Sequence, residues 1–177
     1  MRKFVPFVAV AVVLAAAPVQ AQSCNIADQP NCAVGTTASM TMPSLLRLTL
    51  GSTTSSLSAP AAVTEFDTDG VVKKESAGPS VTVRANRGWA VTLKADAAEF
   101  TPGGGSTYAK PISDLEVSAD NGATYTAISN ASAFSINNGS ATASTIFSQI
   151  KYRTRYSVAS DAPGTYSLGI TYTLTAN

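Results

Sequence analysis

The residues able to do chemistry in this chain are few, and their spacing argues against catalysis. Cys24 and Cys32 are the only cysteines, with Asn25 to Asn31 between them, and there is no histidine. A Ser-His-Asp or Cys-His relay therefore cannot be assembled, and only a Ser-Lys pairing stays formally open. Zinc would want two further Cys or His ligands beside these two cysteines. In an exported chain such a pair closes a short disulfide loop, a local staple of about 2–3 kcal/mol at most. The carboxylate pairs Asp67 with Asp69 and Asp96 with Glu99 fall in turn-forming stretches, where solvated acidic groups are the ordinary reading. Asp67-Thr68-Asp69-Gly70 has the look of a calcium loop but lacks the third Asp/Asn and the distal Glu. Lys73-Lys74 is the only adjacent basic pair in the mature part. The expectation is a protein without catalytic, cofactor-binding or metal-binding residues, and not an enzyme.

These groups belong to an export address followed by one domain. Met1-Arg2-Lys3 is a positive head, Phe4 to Ala17 an apolar run and Val19-Gln20-Ala21 a small-residue cleavage site. That is a secretory signal peptide over residues 1–21, with too short an apolar run to span a membrane. Removing 21 of the 177 residues leaves 156, enough for one domain with a real core. The signal takes two of the 12 basic residues and none of the 11 acidic ones, so the mature net charge is −1 and nothing attracts nucleic acid. Residues 22–35 read as an N-terminal arm carrying the Cys24–Cys32 loop, and residues 36–177 as the domain. The sequons at Asn130 and Asn138 matter only in a host that glycosylates exported proteins. The address points to a secreted protein, extracellular, at the cell surface or in a periplasm.

The domain reads as short strands between Gly, Pro, Asn, Asp and Ser clusters, with no helical period. Its clearest element follows Pro163-Gly164: Tyr166, Leu168, Ile170, Tyr172 and Leu174 alternate with Thr165, Ser167, Gly169, Thr171 and Thr173. One dry face and one wet face describe a half-buried antiparallel strand. Residues 37–42 alternate through Ala38, Met40 and Met42, and residues 45–50 through Leu46, Leu48 and Leu50. Residues 62–66 form another short run before the Asp67–Gly70 turn. Val81, Val83 and Ala85, then Trp89, Val91, Leu93 and Ala95, flank Asn86-Arg87-Gly88 and read as a central hairpin. Residues 114–118 and 123–128 form a second hairpin about Asn121-Gly122. Residues 130–142 suggest a short edge strand or loop. Residues 145–158 read as one long strand with Ile146, Ile150, Tyr152, Tyr156 and Val158 inward, pairing with the final strand across the Pro163-Gly164 turn. Trp89, Tyr152, Tyr156, Tyr166 and Tyr172 are expected to pack in the core rather than form a sugar-stacking face. The fold class is an all-β antiparallel two-sheet sandwich, immunoglobulin-like in architecture.

Arg87-Gly88-Trp89-Ala90-Val91-Thr92-Leu93 and the closing segment Ala162-Pro163-Gly164-Thr165-Tyr166-Ser167-Leu168-Gly169-Ile170-Thr171-Tyr172-Thr173-Leu174-Thr175 together resemble WxL-type bacterial cell-surface domains. Val91 stands where that family's first motif carries Leu, and Tyr172 where its second carries Trp. The resemblance implies an exported β-sandwich module associated with the cell envelope, binding an envelope polymer or other surface proteins, with a structural or adhesive role. A looser resemblance, through the Gly-Thr-Tyr closing strand, is to fimbrial and spore-coat-U-like subunits. It implies the alternative of a filament subunit that self-associates by adding a strand to a neighbour's sheet.

Overall fold

The computed structural model describes residues 34–177. Residues 43–177 form a compact unit of antiparallel strands. In chain order these are β1 (Leu46–Leu50), β2 (Val71–Ala77), β3 (Val81–Ala85), β4 (Trp89–Ala95), β5 (Thr101–Gly103) and β6 (Leu115–Ser118). Then come β7 (Thr126–Ala127), β8 (Phe134–Gly139), β9 (Thr142–Phe147), β10 (Lys151–Ser157), β11 (Thr165–Ser167) and β12 (Ile170–Ala176). Single 3-10 turns at Val63–Glu65 and Ile112–Asp114 are the only helical pieces among the described residues. The ladders run β1-β3-β9, β2-β10-β6-β7, β12-β4-β8 and the short ribbon β11-β5. The result is an all-β sandwich assembled from several short sheets that share one core.

The core follows from period-two patterning. In β3 the inward residues Val81, Val83 and Ala85 are buried while Arg84 points out, and in β4 Trp89, Val91, Leu93 and Ala95 are buried while Lys94 points out. Leu115 and Val117 of β6, Ile150 just before β10 and Tyr152 of β10 complete the layer. Each fully buried Val or Leu contributes about 1.5–3 kcal/mol, so these two strands carry much of the fold's stability. Trp89 stacks on Phe147, ring centroids 6.5 Å apart and nearly parallel. Its indole also lies against Gly139, where an added Cβ would sit 2.9 Å from the ring, so only glycine lets β8 approach this closely.

The Asn121-Gly122 turn closes β6 and β7 as the sequence suggests. Both residues have positive φ, 60° and 90°, conformations that Asn and Gly adopt most readily. Ser118 Oγ accepts the Gly122 N–H at 2.8 Å and donates to Asp120 Oδ1 at 2.6 Å, pinning the loop from inside.

Elsewhere the topology differs from local reading. β3 and β4 do not pair with each other: β3 lies between β1 and β9, and β4 between β12 and β8. Asn86-Arg87-Gly88 is thus an arch between sheets, which leaves both strands' dry faces turned to one core. The expected long strand is two, because the chain breaks at residues 148–150 before β10. That break inverts the parity, so Phe147 turns inward while Ile146 is 68% exposed, and Val158 lies past the end of β10 and is also exposed. The final strand is likewise split into β11 and β12, and β12 pairs with β4, Leu174 opposite Val91, rather than with β10. Residues 62–66 form only a 3-10 turn, and residues 37–42 form no strand. Residues 34–42, described separately as the tail of a second unit, are exposed throughout, Met40 83% and Met42 65%. Residues 1–21, Cys24 and Cys32 lie outside the described residues.

Candidate functional site

Among the described residues the fold encloses a groove of about 900 Å³. Leu168, Ile170 and Tyr172 of the closing strands form one wall, and the loop of residues 52–60 that leaves β1 at Leu50 forms the other. Phe100, Leu115 and Tyr152 lie at its base, so core side chains continue into it. The walls are held by hydroxyls. Tyr156 Oη donates to Ser58 O at 2.9 Å, and Ser58 N–H donates to Ser76 Oγ at 2.7 Å, which ties the loop down onto β10 and β2. On the opposite side Tyr166 Oη donates to Ala162 O at 2.5 Å and meets Ser106 Oγ at 2.9 Å. Tyr152 and Tyr172 join base to wall through a 2.7 Å hydroxyl pair.

Strand order places the end strand of one sheet at the groove. β12 has a ladder partner on one side only, β4, and β2 and β1 are edge strands of their own sheets. Along the closing strands Tyr166, Leu168, Ile170, Tyr172 and Leu174 all face the core, and each is only half buried, whereas their counterparts in β4 are at most 1% exposed. The same alternation that fully buries β4 leaves β12 incompletely covered. An edge strand with unpaired backbone groups and a partly exposed apolar face is a template for strand addition.

One end of the groove is polar. Lys110 is 1% exposed, and its ammonium donates to Asp114 Oδ2 at 2.9 Å, Asp161 Oδ2 at 2.7 Å and Arg155 O at 2.8 Å, with the Tyr156 ring 5.0 Å away. Three donors meet three acceptors, the arrangement that makes a buried lysine tolerable. Asp161 also accepts the Ser157 N–H at 3.0 Å, so the cluster fastens residues 157–161 beside the groove wall. Asp161 Oδ1 and Thr154 Oγ1, from residues lining the groove, are buried without a hydrogen-bond partner.

Burial pushes the hydroxyls of Tyr152, Tyr156 and Tyr172 above the usual phenol range, so at neutral pH they donate and accept hydrogen bonds but do not act as bases. Among the described residues no group of three His, Cys, Asp or Glu side chains is placed to hold a metal ion, and no helix is long and apolar enough to cross a membrane. Of the aromatics singled out from sequence, Trp89 and Tyr152 are buried in the core, Tyr166 and Tyr172 pack half buried against it, and Tyr156 stands half buried over Lys110. The four tyrosines gather around the groove; Trp89 does not line it. Asp67 and Asp69 shape the turn before β2, where Asp69 Oδ1 accepts the Val71 N–H at 3.0 Å, and Asp96 accepts the Thr171 hydroxyl at 2.6 Å beside β12. Sequence reasoning missed Lys110 and its two aspartates. The i,i+4 spacing of Lys110 and Asp114 was a visible signal, but Asp161 is 51 residues away and only the fold brings it in. Comparison with protein-family models, curated proteins and solved structures returns no match.

Proposed function

We propose that this protein is a secreted, non-catalytic structural or interaction module of the bacterial cell surface, and that it works by taking an extended polypeptide strand into the groove beside β12. The observation that carries the reading is the closing strand itself: a regular apolar face left half buried, on a strand with one free edge, over a groove floored by core residues. An incoming strand supplies main-chain hydrogen bonds to that edge and alternate side chains to the groove. The Lys110 cluster and the tyrosine hydroxyls keep the walls in place, which limits the ordering cost of binding. Export and placement at the envelope rest on residues 1–21 and on the resemblance of residues 87–93 and 162–175 to WxL-type domains. The test is direct binding of fluorescent heptapeptides that alternate apolar and polar residues, read by anisotropy against the mature protein. Saturable binding, weakened tenfold or more by Leu168→Glu in a protein that still melts cooperatively, supports the groove. Binding indifferent to that substitution, or none to any peptide, overturns it.

A further inference from the structure

We propose that Lys110 and Asp161 condense into an amide that clasps the fold from within, Asp114 carrying the protons; the bond is independent of what the groove takes. The three side chains already meet. Lys110 Nζ lies 2.7 Å from Asp161 Oδ2 and 2.9 Å from Asp114 Oδ2, with the Tyr156 ring 5.0 Å away. The lysine side chain is 2% exposed and the two carboxylates 12% and 11%. Each residue is also fixed through its backbone. Phe100 N–H donates to Lys110 O at 2.9 Å, and Ile112 N–H to Ala98 O at 2.9 Å. Asp114 closes a 3-10 turn through its N–H to Pro111 O at 3.1 Å. Asp161 is held twice by Ser157: its N–H donates to Ser157 O at 3.0 Å, and its Oδ2 accepts the Ser157 N–H at 3.0 Å. Groups fixed in contact react as though very concentrated, and burial keeps out the water that would cleave the product.

The two carboxylates are not equivalent. Asp114 Oδ1 has Arg155 Nη1 at 3.7 Å, a cation that stays beside it when the lysine charge is gone. Asp161 Oδ1 is buried with no hydrogen-bond partner, whereas its Oδ2 accepts the Ser157 N–H. That asymmetry selects the leaving oxygen. Oδ1 departs, and Oδ2 remains as the amide carbonyl, polarised by the Ser157 N–H during attack. Nζ gives a proton to Asp114 and attacks Asp161 Cγ, so the Nζ–Cγ bond forms and the Cγ–Oδ1 bond breaks. Of the three ammonium protons, one stays on the amide nitrogen and two leave with Oδ1 as water. Asp114 passes them on and ends ionised as it began. Nothing is oxidised or reduced, and no co-reactant enters. The product removes two buried charges and the carboxylate oxygen that burial leaves unsatisfied, and its amide N–H remains as a donor. The two residues are 51 apart in sequence, so β6 to β10 come to lie inside one covalent loop.

The test is mass spectrometry of the full mature protein after denaturation and trypsin digestion. Trypsin spares the Lys110-Pro111 bond, so the cuts that flank the site should release residues 95–151, carrying Lys110 and Asp114, and residues 156–177, carrying Asp161. The two are expected as one species, lighter than their sum by a water, with fragmentation placing the link between Lys110 and Asp161. Lys110→Arg keeps the charge without the nucleophile and should yield only the separate peptides. Asp114→Asn should cut the linked fraction about tenfold or more, and Asp114→Glu should restore it. Separate peptides of full mass from the unaltered protein overturn the bond and leave an ordinary ion pair. A water lost within residues 95–151 alone overturns Asp161 as the partner. Linkage undiminished in Asp114→Asn overturns Asp114 as the proton carrier. The unaltered protein is read directly, so a variant that loses its cooperative melt does not remove the decision on the bond.

Discussion

β4 and β12 are hydrogen-bonded neighbours with the same period-two pattern, yet the molecule treats them differently. In β4 the inward residues are at most 1% exposed; in β12 every inward residue is half buried. The difference lies in position. β4 sits between β12 and β8, under the shared core, whereas β12 ends its sheet and lines an open groove at Ile170 and Tyr172. Pattern alone states that a strand has a dry face, and only its neighbours state how dry. β4 therefore reports on stability, and β12 on stability and binding together.

The largest effect should come from removing the weaker partner altogether. A chain ending at Gly164 loses β11 and β12 and bares the edge of β4, so it should be unfolded or aggregated by circular dichroism and gel filtration. A cooperatively folded monomer would make β12 dispensable and break the comparison. Trp89→Ala comes next, with an expected loss of about 3–5 kcal/mol in chemical denaturation, the range for truncating a buried large aromatic. Little loss there would place the core elsewhere. The matched pair Val91→Ala and Leu174→Ala sharpens the contrast, since the two residues face each other across the ladder. Leucine truncation in a full core costs about 2–5 kcal/mol. Leu174→Ala should fall below that range in the isolated protein and rise into it once a strand fills the groove.

The smallest effect is electrostatic and lies outside both strands, in the turn between β6 and β7. Hydrogen bonds from Ser118 and Thr124 hold the Asp120 carboxyl down at about 2. Its folded value lies below the unfolded one of about 3.9, so its contribution is present above pH 4 and is lost as pH falls toward 2. An NMR titration should find the Asp120 midpoint near 2, and Asp120→Asn should flatten the acid limb of the stability profile without touching the groove.

The alternation of residues 166–174, the buried pattern of β3 and β4 and the Asn121-Gly122 turn were all legible in the sequence, because each is a local signal of period or of left-handed backbone. Pairing was not. Asn86-Arg87-Gly88 reads equally well as a hairpin or as an arch, and only the competition of β9 and β12 for the edges of β3 and β4 decides it. Within residues 145–158 Ile150 and Tyr152 are buried as the pattern implies, whereas Ile146 faces out because a break of three residues reverses which parity faces the core, and Val158 because β10 ends before it. Four of the five aromatics drawn from the strand pattern do gather at the groove, but the groove is a gap between segments distant in sequence, and no local pattern encodes a gap.

The claim most exposed to contradiction is that β12 has a free, receptive edge, and residue-resolved hydrogen exchange measures it directly. With the mature protein held dilute, amides of Ile170–Ala176 that face β4 should be protected while the alternate ones exchange quickly, and adding a heptapeptide of alternating apolar and polar residues should slow the fast set. Uniform protection of Ile170–Ala176 before any peptide is added, or fast amides that stay fast at saturating peptide, would contradict it.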